Sequence, residues 1–167
     1  EVSLGNDGSI SLENLKNCIN NDLANNYGNL CQRVFSFIEK NCSNKIPKPK
    51  SFQNVDIKLL KDLTESVKDL TKLINNQDLN GYIKKIVDFS FEANKYFNDS
   101  KPWSIKQTDP KRMETILYTA IEQIKNISIL LYPVIPISAS KILDTLNLPL
   151  DERNLDNINK NNSLDHS

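Results

Sequence analysis

The chain has 167 residues, enough for one domain that closes an apolar core without metals or disulfides to hold it. Its 21 lysines and arginines balance 21 aspartates and glutamates, so the formal net charge is zero. That speaks against extensive gripping of a phosphate backbone but not against a small site that stacks and hydrogen-bonds a few unpaired bases.

The three cysteines, Cys18, Cys31 and Cys42, show no C-x-x-C spacing, and the one histidine, His166, stands near the C-terminal end, so neither a zinc site nor a disulfide framework is expected. Cys18 and Cys31 fall in a predicted helix, where a free thiol acts as a small apolar side chain in a reducing, cytoplasmic protein. No apolar run reaches the roughly 20 residues of a membrane span, and no basic-then-apolar signal pattern opens the chain. Asn-x-Ser triplets at Asn41, Asn98, Asn126 and Asn161 are what an Asn-rich composition produces by chance.

Residues 1–10 read as a short extended segment with a turn at Gly5-Asn6-Asp7-Gly8. A long helix is predicted from Ser11, as N-cap, to about Lys40. Its apolar stripe is Ile19, Leu23, Tyr27, Leu30, Val34 and Phe37, with a polar stripe of Asp22, Asn26, Asn29, Arg33, Ser36 and Lys40. Pro47 and Pro49 enforce an extended connector. Two further amphipathic helices follow, from about Val55 to Asn75 and from about Asp78 to Asn98. Ser100 to Ser104 is predicted as a break. A fourth helix opens with Asp109 as N-cap and Pro110 at the first helical position, and carries a core stripe from Met113 to Leu131. Tyr132-Pro133-Val134-Ile135-Pro136 ends it, a shorter helix runs from Pro136 to Leu146, and the polar, Asn-rich stretch after Leu150 is expected to be a loosely held tail. The expected fold is all-α, an antiparallel bundle of about five helices over residues 11–148, with residues 1–10 as the end of a linker and residues 149–167 as the tail.

Asn29 and Arg33 lie one helical turn apart on the polar stripe. An amide with both donor and acceptor, beside a planar fork of donors, can satisfy the edge of one base; the plain alternative is a solvated helix face. Trp103, the sole tryptophan, follows Pro102 between two helices. It is either an anchor that packs the link onto the bundle or an exposed platform for a base. Lys101, Lys106, Lys111 and Arg112 stand near it in sequence and favour a phosphate-bearing partner slightly. No catalytic constellation is present: the body of the chain lacks a histidine, a Gly-rich phosphate loop and a G-x-S-x-G elbow, and pairs such as Asp22 with Glu39 or Asp62 with Glu65 read as ordinary exposed carboxylates.

The run Glu1-Val2-Ser3-Leu4-Gly5-Asn6-Asp7-Gly8-Ser9, then Asn21-Asp22-Leu23-Ala24-Asn25, Gly28-Asn29-Leu30-x-x-Arg33, Ala93-Asn94-x-Tyr96, Pro102-Trp103 and Tyr132-Pro133-Val134-Ile135-Pro136 resembles the C-terminal part of bacterial-type methionyl-tRNA synthetases. The resemblance extends in order to about Leu148, and N-L-x-x-R together with P-W is much more specific than either alone. It implies a class I aminoacyl-tRNA synthetase whose helical bundle binds the anticodon loop of methionine tRNA. By the same resemblance Trp103 stacks on the first anticodon base, a cytosine, Asn29 and Arg33 contact anticodon bases, and Pro102 supports the tryptophan. Family members carry a catalytic domain with H-I-G-H-like and K-M-S-K-S-like motifs for ATP and methionine, and neither motif occurs in these 167 residues. The chain is therefore expected to have no catalytic residue, metal or cofactor of its own and to charge no tRNA by itself. Its expected partners are methionine tRNA and its own catalytic domain, with no membrane and no DNA, in a monomeric cytoplasmic enzyme. Two other readings stand beside this one: a helical protein-interaction module without RNA binding, and the anticodon domain of another class I synthetase.

Overall fold

The computed structural model describes residues 25–160. The N-terminal extended segment, the Ser11 cap, Cys18, residues 161–167 and His166 lie outside them. A wide turn over residues 25–28 leads into α1, Asn29–Asn41. Then come α2, Asn54–Asn75; α3, Leu79–Ser100; α4, the single turn Pro102–Ile105; α5, Pro110–Leu131; and α6, Pro136–Thr145. A 3-10 turn at Leu150–Glu152 precedes α7, Leu155–Lys160. The all-α bundle is as expected: α1, α2, α3, α5 and α6 are the five predicted helices, and no strand occurs among the described residues.

Local chemistry sets the helix ends. Asp56 accepts the Gln53 N–H at 2.8 Å and so closes the start of α2. The Asp78 side chain accepts the Gly81 N–H at 3.0 Å at the start of α3. A Cβ at Gly81 would stand 2.6 Å from that carboxylate, so a larger residue there would make the Asp78 side chain shift. Asp109 caps α5 by accepting the Arg112 N–H at 3.2 Å, and Pro110 takes the first helical position, as predicted.

α5 is the axis of the bundle. The predicted stripe, from Met113 through Ile116, Leu117, Ala120, Ile124 and Ile127 to Leu131, is buried, and so are Ile121 and Ile129 on its other side. From Met113 on, the helix is buried on nearly every side, polar Glu122, Gln123 and Asn126 included, so it takes the middle of the bundle, and α1, α2, α3, α6 and α7 all touch it. Its buried hydroxyls turn back on its own carbonyls, Thr119 on Thr115 at 2.8 Å and Ser128 on Ile124 at 2.7 Å. Two tyrosines fix neighbouring elements to it: the Tyr27 hydroxyl lies 2.5 Å from Ser128 Oγ, and Tyr82 donates to the Leu130 carbonyl at 2.5 Å. The proline connector is pinned to the same helix by Lys50 N–H to Thr115 Oγ1 at 2.9 Å.

Two features depart from the sequence expectation. The break before Trp103 is one residue long: Lys101, in the left-handed region at φ 46°, ends α3, and Pro102 at once starts α4. Residues 150–158 are held more firmly than their polar composition suggests. Ile158 of α7 is buried in the core, and the buried Arg153 guanidinium bonds the Leu148 carbonyl at 2.8 Å and Asp144 at 2.5 Å.

Candidate nucleic-acid interface

Arg33 projects from α1 toward α3. Its guanidinium carbon lies 5.3 Å from the centroid of the Phe97 ring, and its two terminal nitrogens donate to Asn94 Oδ1 at 3.4 Å and Asn98 Oδ1 at 2.5 Å. Asn94 is in turn fixed by donating to the Asn26 carbonyl at 2.6 Å. Asn94 and Asn98 are four apart on α3 and so face the same way, clasping the guanidinium plane over the ring between them. Two of the five arginine donors are used in this clasp, which orients the remainder.

Trp103 reaches the same ring from α4. Its indole meets Phe97 with 5.9 Å between centroids and 65° between planes, an edge contact that leaves the residue 45% exposed. Trp103 is thus anchored at one edge and open on its surface. Phe37 meets Phe97 edge-on at 6.3 Å and completes the support. Pro102 is buried at the first position of α4 and fixes the turn, and Ser104 donates to the Lys101 carbonyl through both its N–H, at 3.0 Å, and its hydroxyl, at 2.8 Å.

Asn29 is exposed, one turn before Arg33, and its amide nitrogen donates to the Asn25 carbonyl at 2.9 Å. Arg33 and Trp103 therefore meet on Phe97, with Pro102 holding the turn that carries Trp103, whereas Asn29 stands one helical turn from Arg33 with its amide tied to the Asn25 carbonyl. Composition and spacing missed Phe97, which read only as core, and the clasp of Asn94 and Asn98.

Arg112 is not a free cation of this face. It grips Asp56, whose side chain is wholly buried, through two bonds of 2.6 and 2.9 Å, and Tyr96, next to Phe97 in sequence, donates to the same carboxylate at 2.5 Å. The Asp56 carboxylate holds the Arg112 guanidinium still more firmly protonated. Burial, and then the bond to Asp56, push the Tyr96 hydroxyl up from its ordinary range. This network joins the start of α2, the end of α3 and the start of α5, the last two being the helices between which Trp103 is suspended.

Two concavities lie near these elements. One, of about 480 Å³, lies between the C-terminal end of α1 and the segment joining α4 to α5. The other, of about 450 Å³, is a groove between α2 and α3 floored by Val55, Leu59 and Phe89. Among the described residues no helix is long and apolar enough to cross a membrane.

The sequence matches the family model described as the anticodon binding domain of methionyl tRNA ligase over residues 46–165. The chain belongs to that family. The matched range contains Pro102, Phe97 and Trp103 and begins just after α1. Methionine–tRNA ligase of Brucella suis is 41% identical over 153 residues, 92% of this chain and 30% of that protein. The Mesorhizobium japonicum enzyme is 38% identical over 164 residues, 98% of this chain and 32% of that protein. Among solved structures, the methionyl-tRNA synthetase of Mycobacterium tuberculosis bound by methionyl-adenylate superposes with a TM-score of 0.80 at 32% identity, covering 87% of this chain and 30% of that one. Its free form gives 0.79 over 84% and 29%. The chain spans about three-tenths of the length of these relatives.

Proposed function

We propose that this chain reads the anticodon of methionine tRNA as part of a methionine–tRNA ligase, with Trp103 as the stacking surface and Arg33 and Asn29 as the groups that bond base edges. The observation that supports this most is that Arg33 and Trp103, far apart in sequence, rest on one buried ring in an anticodon-binding domain: one supplies oriented donors, the other an open aromatic surface. Unpaired bases are recognised by that pair of features, stacking together with edge bonding. The neutral net charge fits a reader of few bases better than a binder of long RNA.

In this reading ATP and methionine belong to a catalytic domain beyond these 167 residues, and the chain holds no cofactor itself. Its partners are the anticodon loop and that catalytic domain, within a monomeric enzyme of the cytoplasm. The test is Trp103→Ala in the full chain, binding an anticodon stem–loop of methionine tRNA. The expected loss is about 1 to 3 kcal/mol, the worth of one base stacked on an aromatic ring. Unchanged affinity in a folded variant would remove the stacking role.

A further inference from the structure

Trp103 sits in the link of residues 101–109, between the end of α3 at Ser100 and the start of α5 at Pro110. Where a side chain in so short a link points depends on how its two ends are held. One carboxylate holds both. Asp56 accepts from Tyr96, near the end of α3, at 2.5 Å, and from Arg112, in the first turn of α5, through two bonds of 2.6 and 2.9 Å. Asp56 is itself fixed at the start of α2 by the Gln53 N–H at 2.8 Å. The Arg112 N–H is taken by Asp109, the last residue of the link, at 3.2 Å, so the guanidinium and the end of the link belong to one rigid turn.

Stability alone does not call for ions here. Two charges removed from water gain little over well-packed apolar side chains of the same size, because desolvation offsets their attraction. A forked guanidinium on a carboxylate does something that apolar packing does not: its paired bonds fix one orientation. The link has need of such a constraint. A cavity of about 310 Å³ lies against it, bounded by Asp99, Ser100, Ile105, Arg112 and Ile116, so α4 has room to move on that side. The indole meets the Phe97 ring at an edge, a contact that still permits it to tilt.

We propose that Arg112 is a positioning residue for anticodon reading: by gripping Asp56 it holds the ends of α3 and α5 at the separation that seats the Trp103 indole on Phe97, and it touches no RNA. The proposal rests on the reading of Trp103 as the stacking surface. Lysine in place of Arg112 keeps the charge but cannot form the fork, so Arg112→Lys loosens the grip without removing the cation.

Trp103 is the sole tryptophan of the chain, so its fluorescence reports where that side chain stands with no RNA present. Emission wavelength, quenching by acrylamide and affinity for a CAU anticodon stem–loop are measured on the full 167-residue chain. Arg112→Lys is expected to keep the helical circular dichroism of the wild type, to move the emission to longer wavelength with stronger quenching, and to weaken stem–loop binding roughly fivefold. Tyr96→Phe, which removes one bond to Asp56 and keeps the ring, is expected to move all three readings the same way by less, and it carries the test if Arg112→Lys does not fold. Arg153→Lys loosens the buried contact with Asp144 in the segment after α5; it is expected to lower stability with the indole signal and the affinity unchanged. If the folded Arg112→Lys and Tyr96→Phe chains keep the wild-type indole signal or the wild-type affinity while Trp103→Ala weakens binding, the positioning role is wrong and the anticodon reading stands. An Arg153→Lys chain that moves the indole as far as Arg112→Lys does would equally overturn it, since any loss of stability would then suffice. If the stem–loop binds no better than an unrelated hairpin and Trp103→Ala changes nothing, the anticodon reading fails and the positioning role fails with it.

Discussion

Arg33 lies with its guanidinium carbon 5.3 Å from the centre of the Phe97 ring, and that ring is only 2% exposed. In the proposed reading, a charged group that bonds base edges is thus positioned by a side chain too buried to touch them. Phe97→Leu is expected to cost stability modestly, about 1 to 2 kcal/mol against the 3 to 5 typical of Phe→Ala, and to weaken stem–loop binding as well, because both Arg33 and Trp103 lose their support. Chemical denaturation alongside a binding titration checks this. A folded Phe97→Leu chain with native affinity would mean that the two side chains hold their positions without the ring.

Asn98 makes the shorter of the two bonds that orient Arg33. Asn98 is exposed, so Asn98→Ala is expected to change stability by less than about 1 kcal/mol while lowering the preference for the correct anticodon base. Arg33→Gln is expected to lower that preference further and to lose the ring contact, worth about 0.5 to 1 kcal/mol at such a site. Affinities for matched and mismatched stem–loops separate the two effects. Full discrimination in both variants would leave Arg33 a structural residue.

Asp56 is buried beneath four bonds, two from Arg112, one from Tyr96 and one from the Gln53 backbone. Removing it leaves the inward-turned guanidinium without its counter-charge, so Asp56→Ala is expected to cost about 3 to 5 kcal/mol in urea denaturation. A cost below 1 kcal/mol would show that the network is not holding the ends of α2, α3 and α5 together.

Alkaline pH tests the buried hydroxyls and the buried thiol. Burial pushes the Cys31 thiol from 9.0 up to about 12, and burial is also the leading cause that pushes the hydroxyls of Tyr27, Tyr82 and Tyr96 above their ordinary 10.0. In the unfolded chain these groups release protons at their ordinary values, while the folded chain keeps them. The folded state then binds more protons, so stability is full below about pH 9 and falls as pH rises toward 12, by at most about 1.4 kcal/mol per pH unit for each group. Thermal melts across that range check the sign. A constant melting temperature up to about pH 11 would contradict the burial.

Much of the architecture was legible in the amino-acid order. Asp109 and Pro110 announce the start of α5, the three-four spacing from Met113 to Leu131 announces its core face, and the Pro47–Pro49 connector separates α1 from α2 where expected. What stayed hidden depends on tertiary contact. Ile158 is one apolar residue in an Asn-rich stretch, too little for a periodic signal, and its burial comes from the groove it meets. Arg112 reads as a surface cation beside Trp103 until Asp56, fifty-six residues earlier, turns it inward. Local spacing placed Arg33 on a polar face and Trp103 at a helix junction, but only the folding of α3 between them brings both onto Phe97.

The central claim is tested most directly by comparing the affinity of the chain for two anticodon stem–loops at one moderate salt concentration, one bearing CAU and one with its first anticodon base changed, in the wild type and in Trp103→Ala. Tighter binding to CAU, with that preference lost in a folded Trp103→Ala chain, is the predicted result. Equal binding of both hairpins by the wild-type chain, unaffected by the substitution, would contradict it.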